Sequence, residues 1–203
     1  MKLSERKRAD ILEAAVEEFR SGGFQGTSMD RIAATAKVSK RTVYNHFASK
    51  KELFRAILVE LVKRGMDVSA LAYDSSLSLE SQLTDIAKNE LALFASQDFL
   101  DLARVTLAEY VMSPDMARRA FDEMHEKELG VLTWIREAAR DGRLHVDDPE
   151  IAAHQFLGLI KTFMFWPQLV GGQPLLSREE GDQVIHSAVS MFLDHYGKPS
   201  RDF

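Results

Sequence analysis

Arg41 and Asn45 stand four residues apart in the segment Ser39–Phe47, SKRTVYNHF, so a helix would place both on one face. An arginine there can donate two parallel hydrogen bonds to guanine O6 and N7, and an asparagine can pair with adenine N6 and N7. Lys40, Thr42, Tyr44 and His46 can bond phosphate oxygens, which fixes register without reading sequence. Val43 and Phe47, also four apart, supply the inner face, leaving Ser39 and the polar residues outward or at the edges. Lys50 and Lys51 open the next helix, where ammonium groups and backbone N–H donors favour a phosphate. From Arg31 to Lys51 there are six basic residues and no acid, with Asp30 and Glu52 bounding the window. A basic helix face can be plain solvated surface. Here two short helices about a three-residue turn, interleaved with aromatics, favour double-stranded DNA.

The surrounding elements read as helical. Leu12, Ala15, Val16 and Phe19 recur at helical spacing, giving a first helix from about Ser4 to Arg20 that Gly22-Gly23 stops. Thr27 is placed to cap a second helix, with Asp30 completing a capping box. That helix runs from Ser28 to about Ala36 and buries Ile32 and Ala33, Val38 packs into the turn, and Ser39 opens the third. Ser49-Lys50-Lys51-Glu52 is a capping box for a fourth helix reaching about Ala70. Tyr73–Ser78 reads as a linker, and further helices fit 79–96, 98–112, 114–141, 149–170 and 177–196. Ser113-Pro114 and Asp148-Pro149 each join a cap to a proline at the first helical position. The fold class is all-α: a three-helix helix-turn-helix domain (1–49), a connecting helix (50–72) and a larger C-terminal helical bundle (73–203).

Charge separates along the chain. Residues 1–64 hold 14 Lys+Arg and 8 Asp+Glu, net +6, and residues 65–203 hold 12 and 23, net −11, which sum to −5. A basic nucleic-acid module on an acidic body fits this division. The absence of cysteine excludes disulfides, thiolate chemistry and cysteine-ligated zinc. No apolar stretch follows the basic start and no run of about 18 apolar residues occurs, so a cytoplasmic protein with no membrane span is expected. His125-Glu126-Lys127-Glu128 lacks the second histidine of a zinc-binding HExxH site, and no nucleophile motif or phosphate loop is present. No catalytic residues, metal or cofactor are expected.

Residues 8–57 resemble the N-terminal domain of the TetR/AcrR family of transcriptional regulators. The matching pieces are Ile11-Leu12-x-Ala14-Ala15-x3-Phe19, Gly23-Phe24-x2-Thr27-Ser28-Met29, Ile32-Ala33-x2-Ala36, Val38-Ser39-Lys40, Thr42-Val43-Tyr44-x-His46-Phe47, Ser49-Lys50 and Leu53-Phe54. The resemblance implies that Thr27 and Ser28 touch phosphate, and that Lys40, Thr42, Tyr44, His46 and Lys50 contact backbone or thymine methyls. Arg41 and Asn45 fall where the family varies, which marks them for base reading. Lys37 replaces the glycine usual in the turn, so it must tolerate a left-handed backbone or a remodelled turn, and it adds charge beside the DNA face.

Gly142-Arg143-Leu144-x-Val146-Asp147-Asp148-Pro149-Glu150-Ile151-Ala152-Ala153-x-Gln155-Phe156-Leu157-Gly158-Leu159 is similar to the C-terminal domain of AefR-like members. That implies a bundle that binds an effector and dimerises through its last two long helices. The residues agree: the helix from Asp148 is apolar nearly all round and needs a core on one side and a partner on another. His154, Gly158, Phe165, Val184, Ala188 and Met191 are the expected dimer residues, with Gly158 allowing close approach. Phe94, Phe99, Tyr110, Phe121, Met124, Trp134, Phe163 and Met164 could line a cavity for a small apolar effector, or could be plain core. The reading is a homodimeric, ligand-responsive regulator that represses by holding double-stranded operator DNA. The alternative is an architectural DNA-binding protein without an effector switch.

Overall fold

In the computed structural model the described residues are 3–69, 71–115, 117–118 and 130–198. They form α1 (Leu3–Gly26), α2 (Met29–Thr35), α3 (Lys40–His46), α4 (Lys50–Ser69), α5 (Leu79–Phe94), α6 (Gln97–Met112), α7 (Gly130–Arg140), α8 (Pro149–Met164), α9 (Trp166–Gly171) and α10 (Arg178–Tyr196). The described residues carry no strand beyond one isolated bridge, Leu144 to Gly197, so the all-α expectation stands. The chain divides into two compact units, Met1–Lys63 with Asp98–Met124, and Arg64–Gln97 with His125–Phe203.

In the first unit the buried face of α1 is Ile11, Ala14, Ala15 and Phe19, with Leu12 and Val16 at its edges. Phe19, Phe24 and Phe54 meet pairwise with ring centroids 5.3–6.0 Å apart, a range in which aromatic edges and faces attract. Ile32, Ala33, Val43, Phe47, Leu53 and Ile57 complete this core, and α6 adds Leu102 and Val105 to it. Arg20 lies 3.0 Å from Asp101, tying α1 to the same helix. Hydrogen bonding carries α1 to Gly26, but Gly23 at φ 67° and ψ 166° breaks the helical path where the glycine pair predicts a stop.

In the second unit α10 packs on α5 and α8, and α7 and α9 also pack on α8. A Cβ at Gly181 would meet Leu91 at 3.0 Å, so α10 reaches α5 through that glycine. Asp148 caps α8 with Pro149 in its first turn, and Ser177 forms a complete capping box with Glu180, both as the sequence indicates. The segment before α5 is firmly held: Gln82 accepts from Asp74 N at 2.8 Å and donates to Asp74 O at 2.9 Å. The same Gln82 oxygen accepts the Trp134 indole N–H at 3.1 Å.

Two expectations are corrected. The second helix is capped by Ser28, whose hydroxyl accepts from Arg31 N at 3.2 Å, not by Thr27. The helix expected over 149–170 is two, because Phe165 sits at φ −127°, ψ −59° between α8 and α9. Pro167 explains the break, since its ring clashes with the carbonyl four residues back and it offers no N–H. Residues 119–129 of the helix expected over 114–141 lie outside the described residues.

Lys37 adopts φ 53°, the left-handed backbone rather than a remodelled turn. A side chain there costs about 1–2 kcal/mol, partly offset by the lower entropy of a non-glycine unfolded chain. Lys37→Gly should therefore raise the free energy of unfolding by about 0.5–1 kcal/mol, as read from urea denaturation. A fall would show that the lysine side chain stabilises the turn.

Candidate nucleic-acid interface

The turn between α2 and α3 is closed by two backbone hydrogen bonds, Lys37 N to Ala34 O at 3.1 Å and Val38 N to Ala33 O at 3.0 Å. This nested pair ends a helix with a left-handed residue and swings the chain sharply away. Val38 packs against the core and fixes the entry angle of α3. Ser39 caps α3, accepting from Thr42 N at 3.1 Å and pairing with the Thr42 hydroxyl at 2.8 Å. Val43 and Phe47 are sealed in the core, which leaves Arg41, Tyr44 and Asn45 exposed along the opposite face. His46 lies half-buried beside the Phe47 ring, and the Arg8 guanidinium lies 5.2 Å from that ring's centre.

Of the six bases in the acid-free window, several have internal partners. Arg31 lies 2.8 Å from Glu18 Oε2, and Thr35 donates to Glu18 Oε1 at 2.7 Å, so one carboxylate fastens α2 to α1. Lys40 reaches across the turn to Asp30, with Nζ 2.8 and 3.0 Å from the two oxygens. That hydrogen bond, with the carboxylate's charge, raises the Lys40 pKa above the usual lysine value.

Lys50 also has partners within the chain. Its ammonium donates to the carbonyls of Phe24 and Thr27, the latter at 2.8 Å, with Gln25 O at 3.4 Å, and it lies 4.5 Å from the Phe24 ring centre. Within the chain, this ammonium clamps the turn between α1 and α2. Thr27 is 3% exposed, and its hydroxyl donates to Glu18 O at 2.8 Å and to Gly23 O at 2.9 Å.

Residues 11–57 match the profile of bacterial regulatory proteins of the tetR family, and residues 81–198 match that of the AefR-like transcriptional repressor C-terminal domain. The HTH-type transcriptional repressor NicS of Pseudomonas putida is 40% identical over 80% of this chain and 76% of its own. The crystal structure of a TetR family transcriptional regulator from Pseudomonas syringae pv. tomato superposes with a TM-score of 0.83 at 43% identity, covering 97% of this chain and 100% of that one. The flavonoid-responsive regulator FrrA superposes with a TM-score of 0.75 at 28% identity, covering 97% and 100%. The chain belongs to the TetR family. It is a DNA-binding transcriptional regulator.

The aromatic residues of this TetR-family chain that are expected to line a cavity belong to both units. Trp134 is wholly buried with its N–H satisfied by Gln82, and Phe94 and Met164 are also sealed in the second unit's core. Phe99 is buried and Tyr110 half-buried on α6, in the first unit. Phe163 is 54% exposed and belongs to the outer surface, which removes it from an interior lining. Phe121 and Met124 lie outside the described residues, as does the His125-Glu126-Lys127-Glu128 segment. Phe163 lines an open groove of about 540 Å³ between α8 and α10 with Gly158, Leu159, Met191 and His195. A Cβ at Gly158 would meet nothing within 4 Å, and His154 and Met191 are exposed. Val184 and Phe165 are half-buried, with Phe165 stacked 5.0 Å from Phe94. Ala188, expected at a dimer surface, is 4% exposed and packs inside its own chain because α10 turns that position towards the core it shares with α5 and α8.

Lys50→Met keeps most of the stem and removes the donors. It should lower stability by about 2 kcal/mol, the scale of hydrogen bonds to a charged group. The slope of DNA affinity against salt, in the folded variant, should not change. A shallower slope with unaltered melting would return Lys50 to the phosphate face.

Proposed function

We propose that the protein is a homodimeric repressor that holds a pseudo-palindromic operator and is released from it by a small apolar effector. The observation that carries this is the exposed Arg41–Tyr44–Asn45 face of α3, locked in place by Val43 and Phe47 and by the Lys37 turn. Residues 1–49 bind DNA, 50–72 connect, and 73–203 dimerise and receive the effector. Arg41 and Asn45 read base edges, while Ser28, Lys37, Ser39, Lys40, Thr42, Tyr44 and His46 position the backbone. The response of FrrA to flavonoids supports an effector that is an apolar aromatic molecule. The groove beside Gly158 supports a two-fold pairing of α8 and α10, since Phe163 and Met191 leave apolar surface uncovered there and Ile151 of α8 is also exposed.

Arg41→Ala should weaken operator binding by about 1–3 kcal/mol and relax preference at one position in each half-site, measured against a randomised duplex library. Equal losses on operator and random duplex would take Arg41 out of base reading. Binding at many unrelated sites, insensitive to every compound tried, would favour the architectural alternative.

Gly158→Glu places a carboxylate in the apolar groove without disturbing a packed neighbour. Light scattering should then show monomers of unchanged helicity with no tight operator binding. A wild-type monomer at micromolar concentration would end the dimer reading.

A further inference from the structure

Near the start of α1 the chain carries three successive cations, Arg6, Lys7 and Arg8. A helix dipole favours acids at that end, so the helix itself gives no reason for them. Among the described residues none of the three pairs with a carboxylate, in contrast to Arg31 and Lys40. Arg8 precedes the buried Ile11 by one turn and is exposed, and its guanidinium lies over the Phe47 ring, 5.2 Å from the centre. Phe47 is the C-cap of α3, with the His46 ring 6.4 Å from it. A guanidinium without a carboxylate partner is therefore held at the last turn of α3.

We propose that Arg8 is a further anchor on DNA, donating to a backbone phosphate beside the C-terminal end of α3. This rests on the reading of α3 as the helix that enters the major groove. A helix about 10–12 Å across, in a groove about 12 Å wide, has a phosphate backbone on each side. A long cation beside its last turn then has a phosphate within reach. At the first turn of α3 the cation is Lys40, already shared with Asp30. At the last turn α3 itself offers only the His46 imidazole, and α1 supplies the charge. A guanidinium suits the place, because its plane can lie over an aromatic ring while its edge presents a fork of N–H donors to phosphate oxygens. The ring holds that fork before DNA arrives, so less rotamer freedom is lost on binding. Arg6 stands two residues earlier, about 200° round the helix, and does not share this position.

The test uses the full chain and two fluorescent duplexes, a random-sequence pool and the sequence enriched from it by repeated selection. Anisotropy titrations over a series of salt concentrations give affinity and its salt dependence. Arg8→Met keeps a stem over the Phe47 ring and should weaken both duplexes alike. It should lower the slope of log affinity against log salt by about 0.9 per bound protomer. Arg8→Lys should restore the slope, because the charge returns without the fork, and Arg6→Met should leave it as in wild type. Arg8→Gln is read in the same way should Arg8→Met fail to fold. An unchanged slope for a folded Arg8 variant would make the arginine a cover for Phe47 and overturn the proposal. Equal changes for Arg6→Met and Arg8→Met, or a loss confined to the enriched duplex, would overturn it too: the first means a diffuse field, the second a base contact. Arg41→Ala separates this proposal from the reading beneath it. Lost preference for the enriched duplex, beside an unchanged slope in the Arg8 variants, removes only the anchor. No effect of Arg41→Ala or of any Arg8 variant removes α3 from the groove as well.

Discussion

Where Gly23 turns α1 out of its helical path, backbone carbonyls lose their intrahelical partners, and a single ammonium gathers those of Phe24, Gln25 and Thr27. Lys50 can do this because it opens α4, held there by Ser49 accepting from Glu52 N at 3.2 Å and Glu52 accepting from Ala48 N at 2.8 Å. The clamp joins the end of α1 to the start of α4, and α2 and α3 lie between those points in the chain. Their orientation is then fixed from within by the Phe19–Phe24–Phe54 cluster and by Val43 and Phe47. Without the ammonium, carbonyls beside a buried ring would need water where the Phe24 side chain excludes it.

The same fact alters the charge reckoning on the DNA face. Six bases lie between Arg31 and Lys51 in the sequence, but Arg31 is spent on Glu18 and Lys50 on the clamp. Lys40 is shared with Asp30, so a phosphate that takes it must compete with a carboxylate already in place. Pre-paired cations contribute less to sequence-independent attraction than free ones, because an existing partner has to be displaced. Arg41 and Asn45 stay exposed on α3, and their side chains carry donors and acceptors that can match base edges. A smaller non-specific term is useful to a regulator that must find one site among a genome of competitors.

What the sequence reveals here follows the range of each interaction. Caps made within four residues, at Asp148, Ser177 and Ser49, are legible because donor and acceptor are neighbours in the chain. The period of α3 is legible for the same reason. Thr27 and Ser28 are adjacent hydroxyls with equal local claims to the cap, and the choice is made by tertiary acceptors at Glu18 and Gly23. The carbonyls that Lys50 meets give no local sign, because they lie 23 to 26 residues away in the chain. Pro167 does carry a signal for the α8–α9 break, masked by the apolar run around it. Composition alone cannot tell a cavity wall from a core: Trp134 and Phe163 are equally apolar, yet one is wholly enclosed and the other largely exposed.

The core of the DNA-binding unit includes α6. Leu102 and Val105 belong to the same packed core as Phe54 and Ile57 of α4, and Thr106 and Glu109 follow within the next two turns of that helix. A helix moves as a body over so short a span, and a close-packed core has no void to absorb the movement. A displacement of α6 would therefore act on the core that seats α3, with no need for a chain of intermediate contacts. A ligand of the proposed kind would gain leverage only from a difference in affinity between an arrangement that fits the operator and one that does not. Two recognition helices in a dimer must meet two half-sites at fixed spacing, so a shift too small to disturb either unit is enough to cost one of the two contacts.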